Sequence, residues 1–287
     1  MYYYQEVYDE KTRYTYSCDM VRYNIELRKD CLDAVYSRFG SVTRGDIHIY
    51  PVSFKEYAYR QLLTIKTQHG NVSLGIGFNG HGGADDRLRG FVEFNPNKVF
   101  PDWHKEFVDL CGWCSSVELK RVDLAVDIPV NRFACSLVKD GRNYGMEQRS
   151  AVEYTEYLGM RNKAGRVKLY NKQAEQKLSY PLTRLEVTTE PDITEFKKHL
   201  PEVVISDEAQ IDFAHADMED LSHNDKVTVS LLNTLPLGQR VEYLRKYTYR
   251  HRQKIEKYVL AENRAKINIG CVKQVFDEFT KYERLIA

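Results

Sequence analysis

Alternation of charged and apolar side chains with a period of two is the feature that most constrains the fold of this 287-residue chain. The alternation occurs in residues 121–127, 166–170 and 183–188. Because successive side chains of a β-strand point to opposite faces of the sheet, each stretch predicts a strand with one polar and one apolar face. The middle stretch places Lys168 and Tyr170 on the same polar face.

Carboxylates on these strands form a candidate metal site. If the three strands are neighbours in one antiparallel sheet, Asp123 and Glu186 can converge on one divalent cation, Mg²⁺ or Mn²⁺, since both ions take oxygen ligands. Asp127 lies four residues beyond Asp123, about 13 Å along a strand, which is too far for both to bind one ion unless the strand bulges. We therefore prefer the pair Asp123 and Glu186, with Asp127 as an alternative or outer ligand.

Tyr170 is the candidate nucleophile. A phenol beside a bound metal ion and several cations is suited to attack at phosphorus, which would link the tyrosine to a phosphate. The cations that could hold the phosphate charge are Lys168, Arg166, Arg184 and Lys172. Glu175, just past the strand, is a candidate base or ligand. The alternative is a sheet whose polar face carries exposed ion pairs of little energetic value.

Two other motifs predict structure without chemistry. Residues 75–80 match the pattern G-x-G-x-x-G, but a glycine-rich loop and another strand follow in place of a helix. We therefore predict a hairpin and no dinucleotide site. Cys111 and Cys114 close a predicted helix over residues 102–110, at an end where the helix dipole does not activate a thiol, and no second cysteine pair completes a zinc site.

Composition is that of an ordinary globular protein. Hydrophobic residues make up 43% of the chain and charged residues 29%, and 42 cations against 41 anions give a net charge of +1. A nucleic-acid site must therefore come from local clustering of charge. No apolar run approaches the roughly 20 residues that span a membrane, the six cysteines show no disulfide spacing, and no signal-peptide pattern is present. We expect a cytoplasmic chain with no membrane partner.

Hydrophobic periodicity divides the chain in two. Residues 1–224 predict an α+β domain, which includes antiparallel strands at residues 58–67, 72–78 and 89–94. Residues 225–287 predict a helical region, with helices over residues 227–235, 237–261 and 267–285. The middle helix carries a dense group of cations: Arg245, Lys246, Arg250, Arg252 and Lys254. The group is either a contact for a phosphate backbone or a solvated face that pairs with nearby glutamates.

Four motifs in order resemble the Rep_trans family of replication initiators, which serve rolling-circle plasmids and related mobile elements. They are Arg121-x-Asp123-x-Ala125-x-Asp127, Tyr157-Leu158-Gly159-x-Arg161, Lys168-Leu169-Tyr170-Asn171-Lys172-x-x-Glu175 and Thr183-Arg184-Leu185-Glu186, with Phe94-Asn95-Pro96-Asn97-Lys98 as a weaker upstream match. Together they cover about residues 90–190.

The resemblance implies a sequence-specific DNA nickase that joins its tyrosine to the 5′ phosphate of the nick. It also implies a divalent metal, a homodimer, a host helicase as a further partner, and an origin whose nick site is single-stranded or cruciform. The implied fold is α+β and HUH-like, with a central antiparallel sheet flanked by helices. Tyr170 falls on the family's nucleophile, and its acidic positions fall on Asp123, Asp127, Glu175 and Glu186.

The same resemblance leaves the details of DNA contact and metal binding open. The chain has no His-x-His motif, so its metal site would consist of carboxylates. The cations expected at the DNA are Arg121, Arg161, Arg166 and Lys172, together with the cations of the helical region, which would bind DNA or mediate dimerisation. Two other functions remain: a mobilisation relaxase that cuts at a transfer origin, and a DNA-binding protein without catalytic activity.

Overall fold

The structure is a computed structural model that describes residues 6–39, 48–52, 59–78, 88–148, 154–161, 163–205, 221–233, 235, 237–260 and 264–286. The strands are β1 (Val7–Asp9), β2 (Tyr14–Leu27), β3 (His48–Val52), β4 (Tyr59–Lys66), β5 (Asn71–Phe78), β6 (Leu88–Phe94), β7 (Cys114–Ile128), β8 (Cys135–Leu137), β9 (Tyr144–Gln148), β10 (Tyr154–Leu158), β11 (Val167–Asn171), β12 (Thr183–Thr189) and β13 (Val203–Ile205).

The helices are α1 (Leu32–Phe39), α2 (Pro96–Gly112), α3 (Lys172–Gln176), α4 (Ile193–His199), α5 (His223–Asn233), α6 (Leu237–Lys246), α7 (Tyr249–Leu260) and α8 (Ile269–Thr280). Short 3-10 turns occupy Lys29–Cys31, Arg132–Ala134 and Lys281–Ile286. None of the helices in the described part of the chain is long and apolar enough to cross a membrane.

One large antiparallel sheet organises the molecule. Its strand order is β3-β4-β5-β6-β2-β7-β12-β11-β10-β9, and β1 pairs with β2 outside this path. β8 and β13 form a separate two-stranded sheet. Helices flank the large sheet, so the predicted α+β class with a central antiparallel sheet is confirmed. The three alternating stretches of the sequence become β7, β12 and β11, which are consecutive neighbours, as the candidate metal site required.

The apolar faces of the strands bury the main core against α2 and α8. Trp103 and Phe107 of α2 are fully buried, and the ring of Phe107 lies 5.0 Å from that of Tyr23 on β2. From α8, Val272 and Phe279 join the same core. The packing therefore ties the last helix to the large sheet, although it follows the other C-terminal helices in sequence. The boundary at residues 224 and 225 stays a prediction.

A second, smaller core holds α5, α6 and α7 together. It contains Val229 and Leu232 from α5, Leu244 from α6, and Ile255 and Val259 from α7. The single helix predicted over residues 237–261 is wrong, because the chain breaks between α6 and α7. The break lets α7 turn back against α5, which a straight helix of that length cannot do, and the amide of residue 252 restarts the helical ladder by donating to the carbonyl of residue 248.

Other sequence expectations need smaller changes. The alternation of apolar and polar residues over 19–27 predicts a strand there; β2 covers this stretch, begins earlier at Tyr14 and buries Tyr16 completely. The sequence of residues 129–150 indicates a helix or a loop, whereas the structure has β8 and β9 there. These two strands have only three and five residues, too few apolar positions to give a period.

The two motifs judged to be structural lie in regular elements. Gly75 and Gly77 belong to β5, whose partner β6 is an antiparallel strand, so the predicted hairpin is confirmed up to residues 79–87, which lie outside the described residues. A Cβ atom on Gly75 would lie 2.4 Å from the ring of Phe91. Cys111 and Cys114 are buried where α2 meets β7, and burial raises the pKa of the Cys111 thiol to about 12.

Candidate functional site

Two rows of side chains cross the polar face of the sheet where β11, β12, β7 and β2 run side by side. In the first row Lys168, Glu186, Ala125 and Ser17 are successive cross-strand partners; in the second, Tyr170, Arg184, Asp127 and Thr15 are. Directly opposite residues of an antiparallel pair point to the same face, so these rows are neighbours on one surface. The three predicted polar strands therefore bring the candidate nucleophile and its proposed partners together.

A cleft of about 660 Å³ opens over these rows. It is lined by Asp19, Met20, Asp123, Tyr154, Thr155, Tyr157, Lys168, Tyr170, Asn171, Ala174, Glu175 and Glu186. Five of the predicted site residues therefore face one cavity: Asp123, Lys168, Tyr170, Glu175 and Glu186. Arg184 and Asp127 lie beneath it on the same face, at 4% and 8% exposure.

Asp19 enters the cleft through a β-bulge that sequence reasoning missed. Cys18 pairs with Leu124 and Met20 pairs with Asp123. Between these two pairs β2 advances by two residues and β7 by one, so Asp19 is the extra residue. A bulge re-aims a side chain and is common beside functional sites. A single period-two pattern does not contain this information, since the bulge changes which residues of β2 face the cleft.

Arg184 is fully engaged by two carboxylates. Its Nε and Nη2 donate to the two oxygens of Asp127, each at 2.6 Å, and its Nη1 donates to Asp19 Oδ1 at 2.7 Å. Burial acts to raise the pKa of Asp19, but Arg184 and then Lys172 outweigh it and lower that pKa. Since its donors are turned toward protein carboxylates, Arg184 stabilises the site from below and has little left to offer a phosphate.

The other carboxylates of the site also carry a cation each. Lys168 pairs with Glu186, and Arg121 forms a two-point ion pair with Asp123 at 3.0 and 2.9 Å. A third pair joins Lys172 Nζ to Glu175 Oε2 at 2.5 Å. The Lys168 and Glu175 side chains are 38% and 52% exposed, whereas Glu186, Asp123 and Lys172 are nearly buried. Each pair thus has a buried member that fixes it, and in two pairs an exposed member faces solvent.

Tyr170 is held in its protonated form. Burial raises the pKa of its hydroxyl, the charges of Glu186 and Asp19 raise it further, and Arg184 only partly opposes them. The positive charge near Tyr170 therefore does not suffice to favour the phenolate, because burial first and the carboxylates of Glu186 and Asp19 next outweigh the effect of Arg184 on the pKa. Attack by Tyr170 requires a group that takes its proton.

The carboxylate oxygens around the cleft are the type of ligand that a divalent cation such as Mg²⁺ prefers. Glu186 is desolvated, which raises the pKa of its carboxyl although Lys168 opposes the shift, and the neighbouring charges of Asp123 and Asp19 raise it further. Repulsion of this sort is relieved by a bound cation. Ser17 Oγ, in the same row as Glu186, is buried and has no hydrogen-bond partner among the residues that the structure describes.

The carboxylates around the cleft lie farther apart than the ligands of a bound metal ion would. Among the described residues, no three His, Cys, Asp or Glu side chains are grouped closely enough to hold an ion. Arg184 binds both oxygens of Asp127, and Arg121 binds both oxygens of Asp123, so each of these carboxylates would share its oxygens with the ion or exchange its arginine for it. Asp123 and Glu186 stay the predicted ligand pair, and to bind an ion Glu186 would exchange Lys168 for the metal.

The remaining residues predicted to contact DNA lie outside the two rows of side chains. Arg161 is exposed in the turn between β10 and β11, and Arg166 donates to the carbonyl of Gly159 at 2.6 Å. In the C-terminal helices Arg245, Lys246, Arg250 and Lys254 are exposed, while Arg252 is half-buried.

Part of this helical charge is already paired. Lys254 binds Asp225 at 2.6 Å, and Arg252 binds Glu256 at 3.0 Å. Lys246 lies 4.0 Å from Glu242. The cations on α6 and α7 therefore combine the two arrangements that the sequence left open, helix-stabilising ion pairs and exposed positive charge.

The fold and the site define an α+β protein whose antiparallel sheet carries a polar cleft with a half-buried tyrosine, cations and carboxylates. No protein-family model matches the chain, and no curated protein matches it. Among solved structures, it is similar to the rolling circle replication initiator protein from Geobacillus stearothermophilus, with 15% sequence identity over 76% of this chain and 84% of that one and a TM-score of 0.39. At this level of similarity, the roles of individual residues depend on the geometry described above.

Proposed function

We propose that this protein initiates rolling-circle replication of a plasmid or mobile element by nicking and closing one DNA strand at an origin. The observation that carries the proposal is the cleft itself, where three neighbouring strands bring Tyr170 together with Lys168, Asp123 and Glu186. The order of the motifs that contain these residues, which resembles the Rep_trans family, supports the same reading.

The chemistry is a transfer of one phosphodiester from a sugar oxygen to Tyr170. The phenolic oxygen attacks phosphorus, the bond from phosphorus to the 3′ oxygen breaks, and the 5′ phosphate becomes joined to the tyrosine. The 3′ oxygen leaves and takes up a proton to give a free 3′ hydroxyl. Closing is the reverse reaction, in which a 3′ hydroxyl attacks the phosphotyrosine and releases Tyr170.

Glu175 is the proposed acceptor of the Tyr170 proton. It lines the cleft, its side chain is half-exposed, and its charge acts on the Tyr170 hydroxyl. A base is needed because the raised pKa of Tyr170 keeps the hydroxyl protonated near neutral pH. Lys172, which pairs with Glu175, holds the carboxylate at the end of β11.

Lys168 and Arg121 are the cations that a scissile phosphate would engage. The carboxylate partners of both cations line the cleft, Lys168 lines it as well, and the side chains of Lys168 and Arg121 are both partly exposed. A Mg²⁺ or Mn²⁺ ion, held by Asp123 and Glu186, would add positive charge that favours attack on the phosphate. Binding of that ion by Glu186 would release Lys168 toward the substrate.

The proposal extends to partners and setting. The substrate is an origin in the cytoplasm, single-stranded or cruciform at the nick site. The protein would act as a homodimer and would pass the opened duplex to a host helicase. The exposed cations Arg245, Lys246 and Arg250 would contribute to DNA affinity.

Covalent capture tests the reaction without knowledge of the origin sequence. The full chain is incubated with Mn²⁺ and a pool of single-stranded oligonucleotides that carry a random central segment, and protein is recovered under denaturing conditions. We expect covalent adducts enriched in one sequence, with the nucleotide on the Tyr170 peptide by mass spectrometry. The variant Tyr170→Phe should form none.

A matched control is Tyr180→Phe, which removes the hydroxyl of an exposed tyrosine that does not line the cleft. This variant should form adducts as the unaltered chain does. Adducts that persist in Tyr170→Phe would contradict the assignment of the nucleophile. Retention of one DNA sequence without any adduct, in the presence of Mn²⁺ or Mg²⁺, would instead favour a DNA-binding protein without catalytic activity.

A further inference from the structure

β10 carries an aromatic side chain on the same face as the candidate nucleophile. Tyr157 lines the cleft with Tyr170 and stands directly opposite Lys168 in the pairing of β10 with β11. Tyr170 lies two residues further along β11, or about 7 Å of strand. The Tyr157 ring is therefore within one nucleotide's reach of the phosphate that Tyr170 would attack.

Two contacts hold the ring of Tyr157 in one orientation: a hydrogen bond from its hydroxyl and a guanidinium against one face. Its hydroxyl donates to Glu147 Oε2 at 3.1 Å. The guanidinium carbon of Arg166 lies 4.2 Å from the ring centroid and covers one face. Arg166 is itself fixed, because its Nη1 donates to the carbonyl oxygen of Gly159 at 2.6 Å. An aromatic ring that is ordered before binding loses little conformational entropy when a ligand stacks on it.

The sheet leaves room beside this ring. Its partner on β9 is Gly145, which has no side chain, and a Cβ atom built there would contact nothing within 4 Å. Tyr157 itself is only half-buried. Space and exposure on this flank would admit a planar group against the ring, whereas a ring that served only to fill the fold would be covered on both sides.

We propose that Tyr157, backed by Arg166, is a stacking platform for a nucleobase of the single strand beside the scissile phosphate. The inference rests on the proposed function, since it takes single-stranded DNA as the substrate. Every base offers a π face, so a platform of this type adds affinity without reading sequence. The guanidinium on the far side of the ring strengthens the assembly through its cation–π contact.

The experiment separates base stacking from phosphate binding. Fluorescence anisotropy measures the affinity of the full chain for a labelled 12-mer of thymidylate and for a 12-mer with the same phosphates but abasic sugars, at one salt concentration. All variants carry Tyr170→Phe so that no covalent bond forms. The ratio of the two affinities reports the contribution of the bases, because both probes have equal charge.

We expect Tyr157→Leu to lower this ratio by roughly tenfold or more, the range of one lost base–aromatic stack. Affinity for the abasic probe should stay within about twofold. Tyr157→Phe keeps the ring and should retain the ratio, and it also guards against a variant that fails to fold. The control Tyr180→Leu removes an exposed tyrosine outside the cleft and should leave the ratio unchanged.

Two results would overturn the platform. The first is an unchanged ratio in Tyr157→Leu, and the second is an equal loss of affinity for both probes, which would assign the ring to support of the fold. If covalent capture by the unaltered chain still yields the Tyr170 adduct, the proposed function survives either result. If no variant binds either probe and no adduct forms, the platform and the proposed function both fail.

Discussion

The cleft and the C-terminal helices both concentrate cations, but they hold them differently. In the cleft, Arg184 is 4% exposed and bound by two carboxylates, and Lys168 and Arg121 each have one. On α6 and α7, Arg245 and Arg250 are exposed. A buried charge loses much free energy when its partner is removed, while an exposed one loses little. Charge in the cleft is therefore held in place by its carboxylate partners, whereas part of the charge on the helices is open to solvent.

The largest effect that tests this difference is on folding. Arg184→Met should lower the free energy of unfolding by about 3–5 kcal/mol, because two nearly buried carboxylates lose their partner. Arg250→Met, on the exposed helix, should change it by less than about 0.5 kcal/mol. Urea unfolding followed by circular dichroism measures both. Equal effects of the two substitutions would remove the distinction between the cation groups.

The second effect is on the reaction. Glu175→Gln should slow formation of the Tyr170 adduct by about 10²-fold at neutral pH, the usual contribution of a general base. The loss should shrink as the pH rises toward 10, since hydroxide then removes the proton that the raised pKa of Tyr170 retains. Single-turnover rates across this pH range provide the measurement.

Glu195→Gln is a matched control for that substitution. Glu195 pairs with Lys198, three residues after it, much as Glu175 pairs with Lys172, three residues before it, but Glu195 lies on α4 and does not line the cleft. Its replacement should leave the adduct rate unchanged. A deficit in Glu175→Gln that stays constant with pH would show that this carboxylate acts in some way other than by accepting the proton.

The third effect is on DNA affinity and its dependence on salt. The joint replacement of Arg245, Lys246 and Arg250 by glutamine should weaken binding of single-stranded DNA by roughly tenfold at low salt. It should also reduce the slope of log affinity against log salt by about 2, since each phosphate contact contributes about 0.7. Anisotropy titrations at several salt concentrations give the slope. An unchanged slope would leave these cations as a solvated helix face.

The smallest effect concerns the stability of the cleft. The folded-state pKa of Glu186 is raised above its ordinary value of 4.5, chiefly by burial. Its contribution thus favours the folded state at low pH and is lost as the pH rises through the raised value. Glu186→Gln should therefore become more stable relative to the unaltered chain as the pH increases from 4 to 7, by at most about 1 kcal/mol. Thermal unfolding at both pH values checks the sign.

The polar strands show how much of the site could be predicted from sequence. A period of two identified β7, β11 and β12 and placed Lys168 and Tyr170 on one face. That the three strands are neighbours was an assumption from sequence, and the pairing of β12 with both β11 and β7 shows it to be right. The sequence did not predict which cation would pair with which carboxylate. Arg184 meets Asp19 across 165 positions of sequence, and such a contact depends on a register that no local pattern contains.

Two other features were hidden for different physical reasons. The break between α6 and α7 comes from tertiary packing against α5, which overrides a continuous helical pattern. The assignment of α8 to the main core depends on how its apolar side chains meet α2 and the sheet. In both cases the sequence specifies an amphipathic face, and only the assembled fold decides what covers it.

The extra residue Asp19 shifts the alternation of polar and core-facing side chains along β2 by one position. Before it the odd-numbered residues Thr15 and Ser17 share the polar face with Asp127 and Ala125 of β7, and after it the even-numbered ones do, beginning with Met20. Substitution and deletion at this position are therefore different experiments. Asp19→Ala removes one carboxylate and keeps the bulge. Deletion of the residue would remove the bulge as well: Met20 would follow Cys18 directly, as Asp123 and Leu124 follow each other on β7, and the side chains of both halves of β2 would keep their present faces.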